Sequence, residues 1–368
     1  MTKIIFGITR SPSRLIALCT TIAAVFLYLT PAPQGVPASA ITGSALCLFA
    51  VGLYATVAIP EFLTAIMFFT LAMLIGIGDA NVVFSGFHST AFWMVFGGMI
   101  IGVAVQKTGL GVRLATIITS RFSGSYSQLI CGVSLVGVAL SFVMPSTMGR
   151  VVLLIPIVVA LCDELGYEQG SVERSGLILA VSYATWMPSM AILPANVPNM
   201  VLAGVSENLF GIIFTYGDYM LTHMPVNGIL KVAAIIGLVF LLFPTRHSDS
   251  FRKISRHEQK PLSADGHKLA VILTITLGFW ATDFLHHISP AWVAMSAAVV
   301  CLWPGFGLVD GKDLTTKVNF PSAVYVAGIL SLGALLVKTG AGDWVGGWLL
   351  AHLPLSKESP FLSFYSMV

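Results

Sequence analysis

Charge is what this sequence lacks. Only 10% of its 368 residues are Asp, Glu, Lys or Arg, against about 25% in a soluble domain. So few charges cannot coat a water-facing globule of this size. With 56% hydrophobic residues and a mean hydropathy of +0.90, the composition is that of a polytopic membrane protein. Cysteine is sparse as well. Cys19, Cys47, Cys131, Cys162 and Cys301 stand alone inside apolar runs, with no C-x-x-C or histidine pairing, which argues against a disulfide framework or a zinc site. No H-E-x-x-H run, Walker lysine loop or His/Asp cluster appears, so an intramembrane enzyme would lack its chemistry. The net charge of +3 is unevenly placed, and no nucleic-acid partner is expected.

What is present is hydrophobic length. Runs close to the roughly 20 residues that cross a bilayer fall at 14–30, 38–59, 61–78, 90–107, 218–244, 267–286, 291–306 and 321–338. Amphipathic pieces follow two of them. The one at 111–122 offers Arg113 and Arg121 as headgroup contacts, and the other lies at 342–352. At the N-terminus, Lys3, Arg10 and Arg14 flank the first run, and Pro37-Ala38-Ser39-Ala40 resembles a signal-peptide cleavage site. A retained first span is the reading adopted, because further spans follow at once.

The stretch 127–199 is different in kind. Its apolar arms are interrupted at Pro145-Ser146-Thr147-Met148-Gly149-Arg150 and at Pro194-Ala195-Asn196-Val197-Pro198-Asn199. In lipid every backbone N–H and C=O must be satisfied internally, so broken helix persists only inside protein or along a cavity. Such breaks are the sequence pointer to a transporter's binding site. The first is read as the tip of a hairpin with arms 128–144 and 151–163. The second is read as a break between arms 176–190 and 200–205.

Basic residues orient the chain. Lys107, Arg113, Arg121, Arg174, Arg246, Arg252, Lys253, Arg256, Lys260 and Lys268 join the N-terminal cations on one side if the hairpin enters and leaves by the same face. The opposite loops near 31–37, 79–89, 205–217 and 283–289 hold no Lys or Arg. The positive-inside rule makes the basic side cytoplasmic, with the N-terminus there.

The chain also repeats itself. Gly97, Gly102, Lys107-Thr108-Gly109 and Gly111 match Gly328, Gly333, Lys338-Thr339-Gly340 and Gly342, each pair 231 residues apart (338 − 107). By the span count the two copies end on opposite faces, which is an inverted-topology repeat. The expected fold is an all-α polytopic helical bundle. Its parts are a first span and outer loop (1–37), a first repeat (38–244) with a re-entrant hairpin (127–163) and a broken helix (176–205), a basic loop (245–266), and an incomplete second repeat (267–368). The same offset places counterparts of Ser146 and Asn199 at 377 and 430, beyond Val368, so a C-terminally truncated carrier is expected.

The chemistry of the breaks suits ions. A cation such as sodium wants several oxygens. Unwound backbone supplies carbonyls, Ala195 among them, and Ser146, Thr147, Asn196 and Asn199 add side-chain oxygens. The helix starting near Gly149 aims N–H groups carrying partial positive charge at the same place, which suits carboxylate or sulfate. Arg150 could add a bidentate partner. The candidate substrate set is therefore Ser146, Thr147, Gly149, Arg150 and Asn199. Blander readings stand beside this one. Ser146 and Thr147 also suit helix capping. Asn196 and Asn199 also suit backbone satisfaction beside the prolines. Arg150 also suits a buried ion pair or a snorkelling position, and Lys231 a snorkelling one.

These residues carry a family resemblance. The chain resembles the divalent anion/sodium symporter family, carriers of sulfate and of di- and tricarboxylates. That family places Ser-Asn-Thr at a hairpin tip, and one exchanging branch has Pro-Ser-Asn-Thr-Ala-Arg. Here Pro145, Ser146 and Arg150 match, while Thr147 stands for the Asn and Met148 for the Thr. The break ending in Pro198-Asn199 is similar to the family's second element. The resemblance implies a secondary active transporter moving a small divalent anion by cation-coupled symport or by exchange, with alternating access. It implies sodium held between the two elements as the coupling ion, no other cofactor, a homodimer, and a multi-pass cell-membrane location among lipid (the inner membrane if bacterial). The altered signature weakens the sodium expectation. An uncoupled anion channel and an inactive fragment are the alternatives. Cysteines placed at Gly124 and Gly166 in a cysteine-free background should both react only from the cytoplasmic side. Labelling from opposite faces would remove the hairpin.

Overall fold

The computed structural model describes residues 12–122, 124–144, 146–245 and 261–353, together with 359, 361 and 363. Lys3, Arg10, Pro145, Arg246, Arg252, Lys253, Arg256, Lys260 and most of the run after 353 lie outside the described residues.

The helices, in chain order, are α1 (Pro12–Leu29), α2 (Ala38–Thr56), α3 (Glu61–Ile75), α4 (Ala80–Val83), α5 (Thr90–Thr108), α6 (Leu110–Arg121), α7 (Tyr126–Val143), α8 (Thr147–Leu165), α9 (Val172–Trp186), α10 (Val197–Phe210) and α11 (Tyr216–His223). A π-helical stretch, Met224–Leu230, leads into α12 (Lys231–Leu242). Then come α13 (Ala264–Ala281), α14 (Asp283–His286), α15 (Pro290–Leu302), α16 (Gly311–Lys317), α17 (Phe320–Lys338) and α18 (Ala341–His352). Among the described residues there is no strand, and six helical segments are long and apolar enough to cross a membrane. The protein is an all-α polytopic membrane protein.

Local chemistry sets many helix starts. Ser125, Ser146, Ser171, Thr215 and Ser263 each accept the N–H of the residue three positions on, capping α7, α8, α9, α11 and α13. Gly109 and Gly340 both adopt left-handed backbone, at φ 70° and 73°. Each therefore turns a 19-residue span into a 12-residue amphipathic helix. The structure departs from the sequence reading at several places. The span expected at 218–244 begins at Tyr216 and contains the π-helical stretch, where Pro225 removes one rung of the i→i−4 ladder. The short helices α4 and α16 were not foreseen. Asp79 and Asp310, which precede them, are themselves 231 apart, so they extend the repeat.

The chain forms two compact units. The first comprises Met1–Phe92, Gly204–Ile212 and Phe320–Val368. In it α2 packs on α1 and α3, and α17 packs on α3. Glycine makes the approaches close. A Cβ on Gly52 would lie 2.4 Å from Thr20 Oγ1, and one on Gly328 would lie 2.6 Å from Ala65 Cβ and 2.7 Å from the Tyr54 hydroxyl.

The second unit comprises Trp93–Ala203 and Ile213–Asn319. Its core joins α6, α7, α8, α9 and α12 through Ala115, Leu129, Val133, Leu154, Leu177 and Val239. A Cβ on Gly137 would lie 2.6 Å from Thr185 Oγ1, which sets α7 tightly against α9. A Cβ on Gly97 of α5 would lie 3.1 Å from the Ala294 backbone of α15. The matched glycines Gly97 and Gly328 thus do matching work: each lets its span approach closely a helix far away in sequence.

Polar residues tie the ends of the second unit. Arg174 donates to Asp163 (2.5 Å) and to the Tyr167 carbonyl (3.2 Å), joining α8 to α9. Lys107, at the end of α5, meets Asp313 at 2.5 Å and Asp310 at 3.3 Å, and Lys317 meets Asp313 at 2.8 Å. Hydrogen bonds from Lys107 and then Lys317 hold the Asp313 carboxyl well below the usual carboxylate range. A carboxyl depressed in the fold contributes stability that is complete above its unfolded pKa, about 3.9, and is lost as pH falls through the lower folded value. The melting temperature in detergent should therefore hold level from neutral pH to about pH 4 and fall below it. Asp313→Asn should lower the neutral plateau and flatten that acid limb. An unchanged limb would assign the acid response to other carboxylates.

Candidate functional site

The first break is shorter than its sequence suggests. Only residues 144–146 separate α7 from α8, and Thr147 to Arg150 already form the first turn of α8. The cause is the cap. Ser146 Oγ accepts the Gly149 N–H at 3.1 Å, and the Ser146 carbonyl accepts the Arg150 N–H at 3.0 Å. Ser146 and Met148 are exposed, Thr147 is half-buried, and Arg150 is buried completely, at 0% exposure.

The second break follows from its prolines, which supply no N–H and crowd the preceding turn. α9 gives way after Trp186 to two 3₁₀ turns, Met187–Ala191 and Leu193–Ala195, before α10 resumes at Val197. Side chains then take over the lost backbone bonds. The Asn199 amide donates to the Ser189 and Ile192 carbonyls, both at 2.8 Å, and Asn196 Oδ1 accepts the Asn199 N–H at 3.0 Å. The π-helical stretch packs beside the first of these turns, and the Tyr219 hydroxyl donates to the Met190 carbonyl at 3.2 Å.

Arg150 joins the two breaks. Its Nη1 donates to the Met144 carbonyl in the first break and, at 3.2 Å, to the Ala195 carbonyl in the second. Its Nη2 donates to Thr147 Oγ1 at 3.0 Å. Thr147 Oγ1 in turn donates to Ser189 Oγ at 3.2 Å, and Ser189 donates to the Trp186 carbonyl. Nε has no partner. Among the described residues no carboxylate pairs with Arg150. It neither forms the ion pair nor snorkels. Among the described residues the partners of this buried positive charge are all neutral oxygens.

Of the residues named from sequence, the structure gathers Thr147, Arg150 and Ala195 into one network. Ser146 and Gly149 lie at its rim. The Asn196 oxygen and the Asn199 amide nitrogen are engaged in holding the break. Ser189 was missed because a serine after proline carries no distinguishing pattern. Gln106 was missed because it reads as the polar end of a span. Its amide nitrogen stands 3.6 Å from where a Cβ on Gly149 would lie. Chemically, the arrangement presents the first N–H groups of α8 at an accessible tip, with a buried guanidinium one turn behind them. Both favour an anion.

A family model described as the sodium:sulfate symporter transmembrane region matches residues 12–367. The chain belongs to this family. It is therefore a membrane carrier and not an enzyme. It is 27% identical over 370 residues to a membrane protein of Cupriavidus necator, covering 94% of this chain and 72% of that one. It is 25% identical over 297 residues to proteins named L-tartrate/succinate antiporter from Escherichia coli (strain K12) and Shigella flexneri. That match covers 77% of this chain and 59% of the antiporters' length.

The bonds of Asn199 generate a stability test. Asn199→Ala leaves two buried carbonyls without their donor, at a cost of about 1–3 kcal/mol, and should lower the melting temperature in detergent. An unchanged melting temperature would show that the break is held without this amide.

Proposed function

We propose that this chain carries small dicarboxylates across the membrane by exchange, with the guanidinium of Arg150 standing as a fixed cation where a sodium-coupled carrier would bind a mobile one. The observation that carries this reading is the bonding of Arg150. Its guanidinium takes the Ala195 carbonyl and the Thr147 hydroxyl, two of the oxygens a bound sodium would need. Ser146 and Asn196 spend theirs on helix N–H groups. Of the expected sodium oxygens this leaves the Asn199 side-chain oxygen, too few for a cation that wants several.

A fixed charge has a mechanistic consequence. A mobile cation leaves with the substrate, and the empty carrier returns neutral. A guanidinium cannot leave, so an empty site would reorient with an uncompensated buried charge, which is costly. Binding an anion on the far side offsets that cost. Obligatory exchange follows, and it accords with the antiporter names of the relatives. The α8 N-terminus would hold one carboxylate of the substrate.

The same reading takes the hairpin as re-entrant, the two Lys-Thr-Gly halves as inverted repeats, the N-terminus as cytoplasmic and the working assembly as a homodimer. The pairing of Lys107 with Asp310 and Asp313 supports it, since the charge count puts the end of α5 and the loop before α17 on one face. In proteoliposomes preloaded with succinate, labelled succinate or L-tartrate should enter, and entry should stop when the internal anion is omitted. Replacing sodium by choline should leave the rate unchanged. Arg150→Gln should reduce exchange by at least about tenfold, the loss expected for hydrogen bonds to a charged group. Steep sodium activation of the wild-type protein would overturn the fixed-cation reading.

A further inference from the structure

The amphipathic helices α6 and α18 occupy corresponding places in the repeat. Laid over one another at the offset of 231, Arg113, Ile117 and Arg121 of α6 fall on Trp344, Trp348 and His352 of α18. Each trio is spaced i, i+4, i+8 and so forms one ridge along its helix. The side of α6 turned away from this ridge is occupied: Gly111 and Ala115 are buried, and Ile118 packs on the core. Along the ridge Ile117 is 38% exposed, Arg121 is exposed and Arg113 is half-buried. Neither arginine has an acidic partner among the described residues. On α18 the ridge is aromatic, with Trp348 and His352 stacked at 4.6 Å, and it carries no Lys or Arg.

We infer that the Arg113–Ile117–Arg121 ridge is a binding surface for anionic phospholipid headgroups. Two guanidiniums about 12 Å apart along the helix, at 1.5 Å per residue, flank an exposed isoleucine. The side chain enters the acyl boundary while the cations meet phosphates, which is the chemistry of an interfacial helix on an anionic leaflet. The α18 ridge, with Trp344, Trp348 and His352 in the same places, suits an interface that offers no such charge. The assignment of α6 to the cytoplasmic leaflet rests on the topology proposed above. The lipid preference does not.

The test uses the purified full chain in mixed micelles, titrated with phosphatidylglycerol or phosphatidylcholine and read by native mass spectrometry. Wild type should retain phosphatidylglycerol preferentially, and raised salt should erase the preference. Each arginine near an anionic surface contributes about a fivefold factor. Arg113→Gln and Arg121→Gln should therefore each weaken retention about fivefold, and the double variant about 25-fold. Lysine at both positions should restore most of it. Lys312→Gln, outside the ridge, should change nothing. Millimolar inorganic phosphate should not compete, because it lacks the acyl chain that Ile117 engages. The single variants keep the test valid should the double variant fold poorly. Phosphatidylglycerol retention that is unchanged in both single variants, equally weakened by Lys312→Gln, or displaced by inorganic phosphate would overturn the inference.

Discussion

The structure depends on one constraint: a helix that stops inside a membrane must find new partners for its freed backbone groups. Here the partners are side chains from the breaks themselves. Asn199 holds two carbonyls of the second break, Ser146 caps the first, and the guanidinium of Arg150 spans both. The element that satisfies the backbone is also the charged element. The residue that holds the two breaks together is thus also the one that brings a positive charge to them.

This sharing explains why the altered signature at the hairpin tip is coherent. Met148 is exposed and binds nothing polar, while Thr147 offers one hydroxyl that accepts from Arg150 and donates to Ser189. A tip built to hold a metal ion needs several free oxygens. A tip built around a guanidinium needs acceptors that are already aimed at it, and two carbonyls with one hydroxyl meet that need.

Much of the fold was legible in the sequence because the physics is local. Hydrophobic length marks the spans, Ser146 already suits a cap in the sequence, and the Lys-Thr-Gly runs at Gly109 and Gly340 stand where spans give way to amphipathic pieces. The two breaks were legible because proline cannot continue a helix. What escaped depends on tertiary geometry. A sequence does not say whether Arg150 turns toward solvent, a carboxylate or its own backbone, and it does not say whether an asparagine oxygen faces an ion or an N–H. The π-helical stretch escaped for a related reason: Pro225 signals a disturbed ladder without specifying how the chain absorbs it. Gln106 and Ser189 belong to no pattern and are found only by where they sit.

The seating of a late span on an early one has a consequence for biosynthesis. In the first unit α17 seats Gly328 against Ala65 of α3, yet about 240 residues of chain separate α3 from α17. At 5–20 residues per second, roughly 12–50 s of translation pass before the partner exists. Throughout that interval the face of α3 around Ala65 and Phe68 waits in the bilayer, open to lipid or to the wrong helix. The order in which spans leave the insertion machinery, and whatever shields that face meanwhile, thus becomes part of how this carrier reaches its native state.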